Sequence, residues 1–304
     1  MNLPLWVLVG AVSLDILFGE PRPKFHPVVW VGGLIDRLSR RGFESVYGLP
    51  TVLVPVGVSV SVTVSALTVL PRMATVVLGA YLLSTTFSLT EFVETAGEVA
   101  RLTDENIEDA RHQLRGLAGR DASQLSAEEV RSAVVESLSE NFVDGFLAPV
   151  FYFGVFSLAG VEYGVGAAVG YRVINTADSM VGYVSEGRAG YASARTDDLA
   201  SYIPARLSVV VLGLSSVSVD AVTAPVRQSS RVSSPNSGLP MSSLGAALGV
   251  RLEKKDHYIL GVEDAGYPSV DDIGRGIRTV WIASLVVLGT VAVVFLYLPR
   301  SVVI

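Results

Sequence analysis

Carboxylates, arginines and amides gather at several places along this chain, and each gathering stands beside an apolar stretch. Charges so placed are functional candidates, because a hydrophobic flank makes an idle charge costly. The first group is Asp15 with Gly19-Glu20-Pro21 and His26-Pro27-Val28, which also reads as a turn held rigid by its prolines. The second is Val135-Glu136-Ser137, then Ser139-Glu140-Asn141 and Asp144-Gly145. On a helix Glu136, Glu140 and Asp144 recur at every fourth position and share a face, where like charges repel unless a cation or an arginine lies among them. An oxygen-rich cluster of this kind suits Mg²⁺; a solvated stripe is the competing reading.

In the third group Arg172, Asn175 and Ser179 are spaced i, i+3 and i+7, with Asp178 beside them. A guanidinium and a carboxylate on one face make either an ion pair between helices or an anion or metal-phosphate site, for which arginine is the forked donor of choice. The fourth group runs Arg195-Thr196-Asp197-Asp198-Leu199 and on to Tyr202-Ile203-Pro204-Ala205-Arg206. Adjacent aspartates point to different sides of a helix, so one can bind metal while the other caps or pairs.

The elements that must position these groups are apolar helices. Of the 304 residues, 50% are hydrophobic and only 17% charged, against about 25% charged in a soluble domain, and the mean hydropathy is +0.49. Residues 45–71, 73–90 and 279–299 hold no Asp, Glu, Lys or Arg, and runs of about 18 or more such residues are long enough to cross a hydrocarbon core. The sequence therefore predicts an all-α, multi-pass integral membrane protein. It forms a single membrane-embedded domain over 1–304, with a polar helical cytoplasmic loop at about 91–141 and a terminal span at about 279–299.

Within this frame Leu3–Phe18 is a retained apolar helix interrupted by Asp15, and Val52–Leu70 with Met73–Thr90 is a tight hairpin around Pro71-Arg72. In the polar loop Leu102-Thr103-Asp104 reads as an N-cap before Glu105, Glu108 and Asp109, and Ser126-Ala127-Glu128-Glu129 reads as a capping box. Glu105, Glu108, Glu128 and Glu129 are expected on a wet face. Tyr163–Tyr171, rich in Gly and Ala, suits close helix packing. Gly145–Arg172 and Leu207–Val226 are each expected to fold back as a hairpin or re-entrant pair, with turns near Ala159–Gly164 and Ser215–Asp220. Basic residues in the first loop (Arg22, Lys24, Arg37, Arg40 and Arg41) and between Arg227 and Arg278 favour the cytoplasm for those loops.

Composition also excludes chemistry. The chain has no cysteine, which rules out disulfides, thiolate metal sites and cysteine nucleophiles. His26, His112 and His257 have no metal-binding spacing. A net charge of −6 without a basic tract gives no footing for nucleic acid.

Taken in order, Gly-x-Pro and His-Pro-Val, Val-Glu-Ser-x-Ser-Glu-Asn-x-x-Asp-Gly, Asn-Thr-x-Asp-Ser-Met-Val-Gly-Tyr, Asp-Asp-Leu-x-x-Tyr-Ile-Pro-Ala-Arg and Ser-Pro-Asn-Ser-Gly-x-Pro-Met resemble the adenosylcobinamide-phosphate synthase family of cobalamin biosynthesis, CobD/CbiB. The likeness runs from about Asp15 to Tyr258. One departure is Gly19-Glu20-Pro21, where the family usually has Gly-Asp-Pro. The resemblance implies a membrane enzyme that joins a carboxylate of adenosylcobyric acid to the amine of (R)-1-amino-2-propanol phosphate, or of aminopropanol, with ATP consumed. Corrinoid and aminopropanol phosphate are then the substrates, ATP and Mg²⁺ the co-substrate and metal, the bilayer and other corrinoid-pathway enzymes the partners, and the active site faces the cytoplasm.

Such a reaction needs positioning and charge neutralisation rather than a covalent nucleophile, and no GxxxxGK[ST] loop is present. The residues assigned on this reading are Glu136, Glu140, Asn141, Asp144, Asp178 and Asp197 as catalytic groups, with Glu136, Glu140, Asp144 and Asp178 as the metal set. His26, Arg172, Asn175, Arg195, Arg206 and Asn236 are assigned to substrate and phosphate. The rival readings are a transporter, which would place charges near the bilayer midplane within repeated halves, and a non-catalytic AmpE-like signalling protein.

Overall fold

The computed structural model describes residues 2–39, 48–117, 122–182 and 190–297. Its helices in chain order are α1 (Leu3–Phe18), α2 (Pro27–Ser39), α3 (Leu49–Val69), α4 (Arg72–Ser84), α5 (Leu89–Glu105), α6 (Ile107–Leu117) and α7 (Ala127–Phe142). There follow α8 (Ala148–Phe156), α9 (Val161–Ala177), α10 (Tyr191–Ala200), α11 (Tyr202–Ser216), α12 (Asp220–Gln228), α13 (Gly238–Leu248) and α14 (Val270–Tyr297). Among the described residues the sheet is one antiparallel hairpin, β1 (Arg251–Lys254) against β2 (Tyr258–Gly261), with Arg251 opposite Gly261 and Lys254 opposite Tyr258. The expected all-α class is observed. Leu49–Val69, Arg72–Glu105 and Val270–Tyr297 are long and apolar enough to cross a membrane, and α10 with α11 meets the same test only as a broken pair. Arg40, Arg41 and Tyr183 lie outside the described residues.

The chain forms two compact units interleaved in sequence. One comprises Met1–Ser88, Ala148–Ser201 and Leu288–Ile304; the other comprises Leu89–Leu147 and Tyr202–Val287. Hydropathy gives no sign of this division, since each unit contains apolar and polar stretches.

In the first unit small residues let helices approach closely. A Cβ at Gly166 would come 2.8 Å from Val64, and one at Gly170 would come 3.0 Å from Val60, so α9 lies tightly on α3. Gly10 against Ala80 brings α1 onto α4 in the same way. The two helices joined by Pro71-Arg72 thus find their main partners elsewhere rather than in each other. α8 and α9 pack as a hairpin that turns at Ser157–Gly160, just ahead of the expected Ala159–Gly164.

In the second unit the polar stretch is folded as expected into helices with apolar stripes turned inward: Phe92, Val93, Ala96, Val99 and Ala100 of α5 are buried. The capping box at Ser126 is present in full, each partner's side chain bonded to the other's backbone N–H. Two expectations are corrected here. Thr103 does not open a helix, because α5 continues to Glu105 and the Thr103 hydroxyl donates back to the Ala100 carbonyl. Asn106 caps α6 instead, accepting from the Glu108 N–H at 3.1 Å. Glu129 is not on a wet face: it is 7% exposed, and its carboxylate holds both the Ser126 N–H and the Lys255 ammonium. α11 and α12 form the expected hairpin, with Val217 at the turn in the left-handed region at φ 51°.

Both units interrupt a helix with a π-turn, Val143–Leu147 after α7 and Asp178–Gly182 after α9. Such turns are rare and frequent at functional sites. Each of these falls on an acidic motif, the first enclosing Asp144 and the second opening on Asp178.

Candidate functional site

The first unit brings together three of the polar groups. The Val28 N–H donates to Nδ1 of His26 at 3.3 Å, which leaves the ring proton on Nε2, and Nε2 lies 3.9 Å from the Glu20 carboxylate. His26 is 5% exposed. Burial lowers its pKa below the ordinary histidine value; Glu20 opposes that shift, and the charge of Arg172 adds to it. Arg172 Nη1 reaches the Asn175 amide oxygen at 3.5 Å, and the Asn175 amide N–H reaches Asp197 at 3.5 Å. Asp198 pairs with Arg195 at 3.6 Å, and Arg195 lies over the Tyr191 ring. Asp178 is pushed up, first by burial and then by the negative charge of Asp198. The helix spacing that puts Arg172 and Asn175 on one face is therefore observed, with Ser179 bonded to the Asn175 carbonyl. Asp15 is buried within α1.

The second unit holds the others in two places. Glu136 is 1% exposed and accepts from Ser132 Oγ at 3.0 Å and from the Tyr258 hydroxyl at 2.8 Å. Ser132 in turn accepts the Glu253 N–H at 2.8 Å, so β1 and β2 are fastened onto α7 through this carboxylate. Glu140, Asn141 and Asp144 are half-buried, and the Asn141 amide donates to the Ser137 carbonyl at 2.9 Å. Glu136 is thus interior while Glu140 and Asp144 are half-buried, Asp144 within the π-turn. Elsewhere in this unit Arg206 donates to Asn236 Oδ1 at 2.9 Å and to the Tyr202 carbonyl at 2.8 Å, with its guanidinium stacked 3.4 Å above the Tyr202 ring. The two substrate-binding residues expected there are each other's partners.

Among the described residues no group of three or more His, Asp or Glu is placed to hold a metal ion. Mg²⁺ asks less of a protein, since it keeps several waters and takes one or two carboxylates together with substrate phosphates. Glu140 and Asp144, half-buried and next to one another along a helix, fit that weaker demand. Glu136, with both oxygens engaged by hydroxyls, fits it less well than the sequence suggested.

Sequence reasoning missed Tyr258, which reaches Glu136 from β2, and gave Tyr202 of the fourth group no role, although it supports Arg206. Tyr202 stands four residues before Arg206 and could have been found by helical spacing; nothing in the sequence links residue 258 to residue 136.

Comparison with known proteins now adds to this geometry. The family model described as CobD/Cbib protein matches residues 8–297. A probable cobalamin biosynthesis protein CobD of Methanothrix thermoacetophila is 36% identical over 294 residues, covering 91% of this chain and 92% of that one. The cobalamin biosynthesis protein CobD of Klebsiella pneumoniae is 36% identical over 314 residues, with coverage of 93% and 94%. A probable cobalamin biosynthesis protein CobD of Archaeoglobus fulgidus is 34% identical and covers 99% of this chain and 97% of its own. No solved structure matches.

Proposed function

The chain belongs to the CobD/Cbib family of cobalamin biosynthesis, and from that premise we propose that it is an adenosylcobinamide-phosphate synthase embedded in the membrane. Adenosylcobyric acid and (R)-1-amino-2-propanol phosphate would be joined through an amide at the expense of ATP. The observation that carries this reading is the family match over residues 8–297.

Amide formation from a carboxylate is uphill until its oxygen becomes a leaving group. In the reaction proposed, a carboxylate oxygen of the corrinoid takes the terminal phosphoryl group of ATP and ADP departs. The ammonium loses one proton to a base, its nitrogen attacks the acyl carbon, and phosphate leaves with the oxygen as the nitrogen gives up a second proton. Both steps require charge neutralisation and alignment more than a protein nucleophile, which suits a chain whose polar motifs are built of carboxylates and arginines and which has no cysteine. Glu140 and Asp144 would hold Mg²⁺, which would neutralise phosphate charge when bound. Arg172 supplies a positive charge for phosphate oxygens, and Asp197 a carboxylate within reach of Asn175.

Purified protein in detergent, supplied with adenosylcobyric acid, the amino alcohol phosphate, Mg²⁺ and ATP, should give the amide and ADP in equal amounts. Conversion without nucleotide or after EDTA treatment, or failure to form the amide with every component present, would overturn the reading.

A further inference from the structure

In the first unit α3 and α8 each pack along α9, and between them a cavity of about 370 Å³ lies over that helix as a trough. Its floor is kept open by small residues, Ala167 and Gly170. One wall is Val56, Val60 and Val64, four residues apart on one face of α3, and the other is Tyr152 and Phe156, one turn apart on α8. Along α9 the lining runs from Tyr163 at one end to Ile174 at the other.

The lining is apolar although it holds tyrosines. The rings of Tyr152 and Tyr171 are stacked with centroids 5.4 Å apart, and both hydroxyls are engaged at the end of α10. Tyr152 donates to the Ala200 carbonyl at 2.9 Å, and the Tyr171 hydroxyl lies 3.0 Å from Ser201 Oγ. None of the lining residues is charged. A nucleotide or an ionised acid would give up its hydration there without recovering hydrogen bonds, so ligands of that kind are excluded. An empty apolar cavity is unfavourable too, because its lining forfeits dispersion contacts.

What fills the trough follows from α3. This helix has no charge in 21 residues and is long and apolar enough to cross a membrane. Its outer face exposes Val54, Val58 and Val62, and hydrocarbon is the medium that suits such a face. α9 lies along α3, so the trough is at the depth of that span, and the exposure of Phe156 and Tyr163 leaves its mouth open to the surroundings. Tyr163 and Ile174 are eleven residues apart on α9, about 16 Å along the axis. That is half of a hydrocarbon core of ~30 Å, the depth of one leaflet.

We propose that the trough is a lipid site, holding one acyl chain of a membrane phospholipid. The proposal rests on the reading of α3 as a membrane span and is independent of the amide reaction. Lipid tails are as apolar as the valines around them, so hydrophobic transfer gives the trough no advantage over the rest of the lipid-facing surface. The advantage is packing: a chain in the trough has protein on three sides, and a chain on the outer face of α3 has it on one. Such a lipid is expected to stay with the protein in mild detergent.

The test reconstitutes the full-length protein into liposomes of a phosphatidylcholine that carries a diazirine late in one acyl chain. The protein is then taken into mild detergent, and mass spectrometry of the intact chain and of its peptides is done with and without prior illumination. A single phospholipid should stay with the wild type, and crosslinks should concentrate in residues 56–64 and 152–174. Ala167→Phe, which fills the floor of the trough, should lose the retained lipid and those crosslinks, whereas Val58→Phe, on the outer face of α3, should keep both. An unchanged lipid on Ala167→Phe, no lipid on the wild type, or crosslinks spread equally over α14 and the outer face of α3 overturns the site, as does a retained fatty acid or corrinoid in place of the phospholipid. The wild-type crosslinking map decides the matter if Ala167→Phe does not fold. Failure to enter the liposomes would overturn the membrane reading and the site together; insertion without crosslinks in the trough overturns the site alone.

Discussion

Glu136 and Glu140 are one helical turn apart, yet their surroundings give them different work. Glu136 is enclosed with Ser132 and Tyr258 as donors, so removing a donor strands charge in the interior. Tyr258→Phe is expected to cost about 1–3 kcal/mol, read as a lowered Tm in detergent, and its effect should not add to that of Glu136→Gln, because the two share one bond. Glu140, half-buried, should behave in the opposite way. Glu140→Gln should leave Tm nearly unchanged while amide formation falls by about a hundredfold or more, the scale of charge stabilisation expected from a bound metal ion. Wild-type turnover in that variant at ordinary Mg²⁺ would remove Glu140 from the metal site. His26 offers a pH test. Its pKa is lowered in the fold, so between that lowered value and the ordinary 6.5 the unfolded chain binds the extra proton and stability rises with pH. Tm should fall on acidification below about 6.5, and His26→Gln should flatten that part of the profile.

Helical class, the long spans, the capping box and both hairpins were legible in the sequence because each rests on local pattern: uncharged runs, Ser-x-x-Glu spacing and turn composition. What the sequence did not show depends on partners distant along the chain. Glu129 reads as one of four wet acids until Lys255 is brought to it. Glu136 reads as a metal ligand, and its bond from Tyr258 on β2 has no trace in the sequence. The π-turns at Asp144 and Asp178 have no compositional signature. Two elements carry predictions of their own. Gly170 lies where a Cβ would meet Val60 at 3.0 Å, so Gly170→Leu should force α9 from α3 and cost about 1–3 kcal/mol. At the α11–α12 turn Val217 is 92% exposed and held at φ 51°, a conformation that costs a β-branched residue roughly 1–2 kcal/mol. Val217→Asn, which tolerates that region, should raise Tm, and a fall would show that the valine side chain has a contact worth more than the strain.

Across the whole molecule the proposed reaction constrains which side of the membrane each polar group serves. On the proposed reaction, which would draw on cytoplasmic ATP, the loops containing Lys24, Gln124 and Ser233 would lie on the cytoplasmic side. α3, with 21 residues, is about 31 Å long and matches a hydrocarbon core of ~30 Å. If it crosses, the exposed Arg72 that follows it lies on the far side from the loop containing Lys24. The helical hairpins α8–α9 and α11–α12 each turn the chain back on itself. Because the chain contains no cysteine, single cysteines report sidedness without background. Exposed positions suit the purpose: Lys24→Cys, Gln124→Cys, Ser233→Cys and Arg72→Cys. With an impermeant thiol reagent applied to intact cells, the cysteine at 72 should label at once, and those at 24, 124 and 233 only after the membrane is opened. Labelling at 24, 124 or 233 from outside would place a motif-bearing loop away from the nucleotide, and a reaction that consumes cytoplasmic ATP could not then draw on that loop's groups.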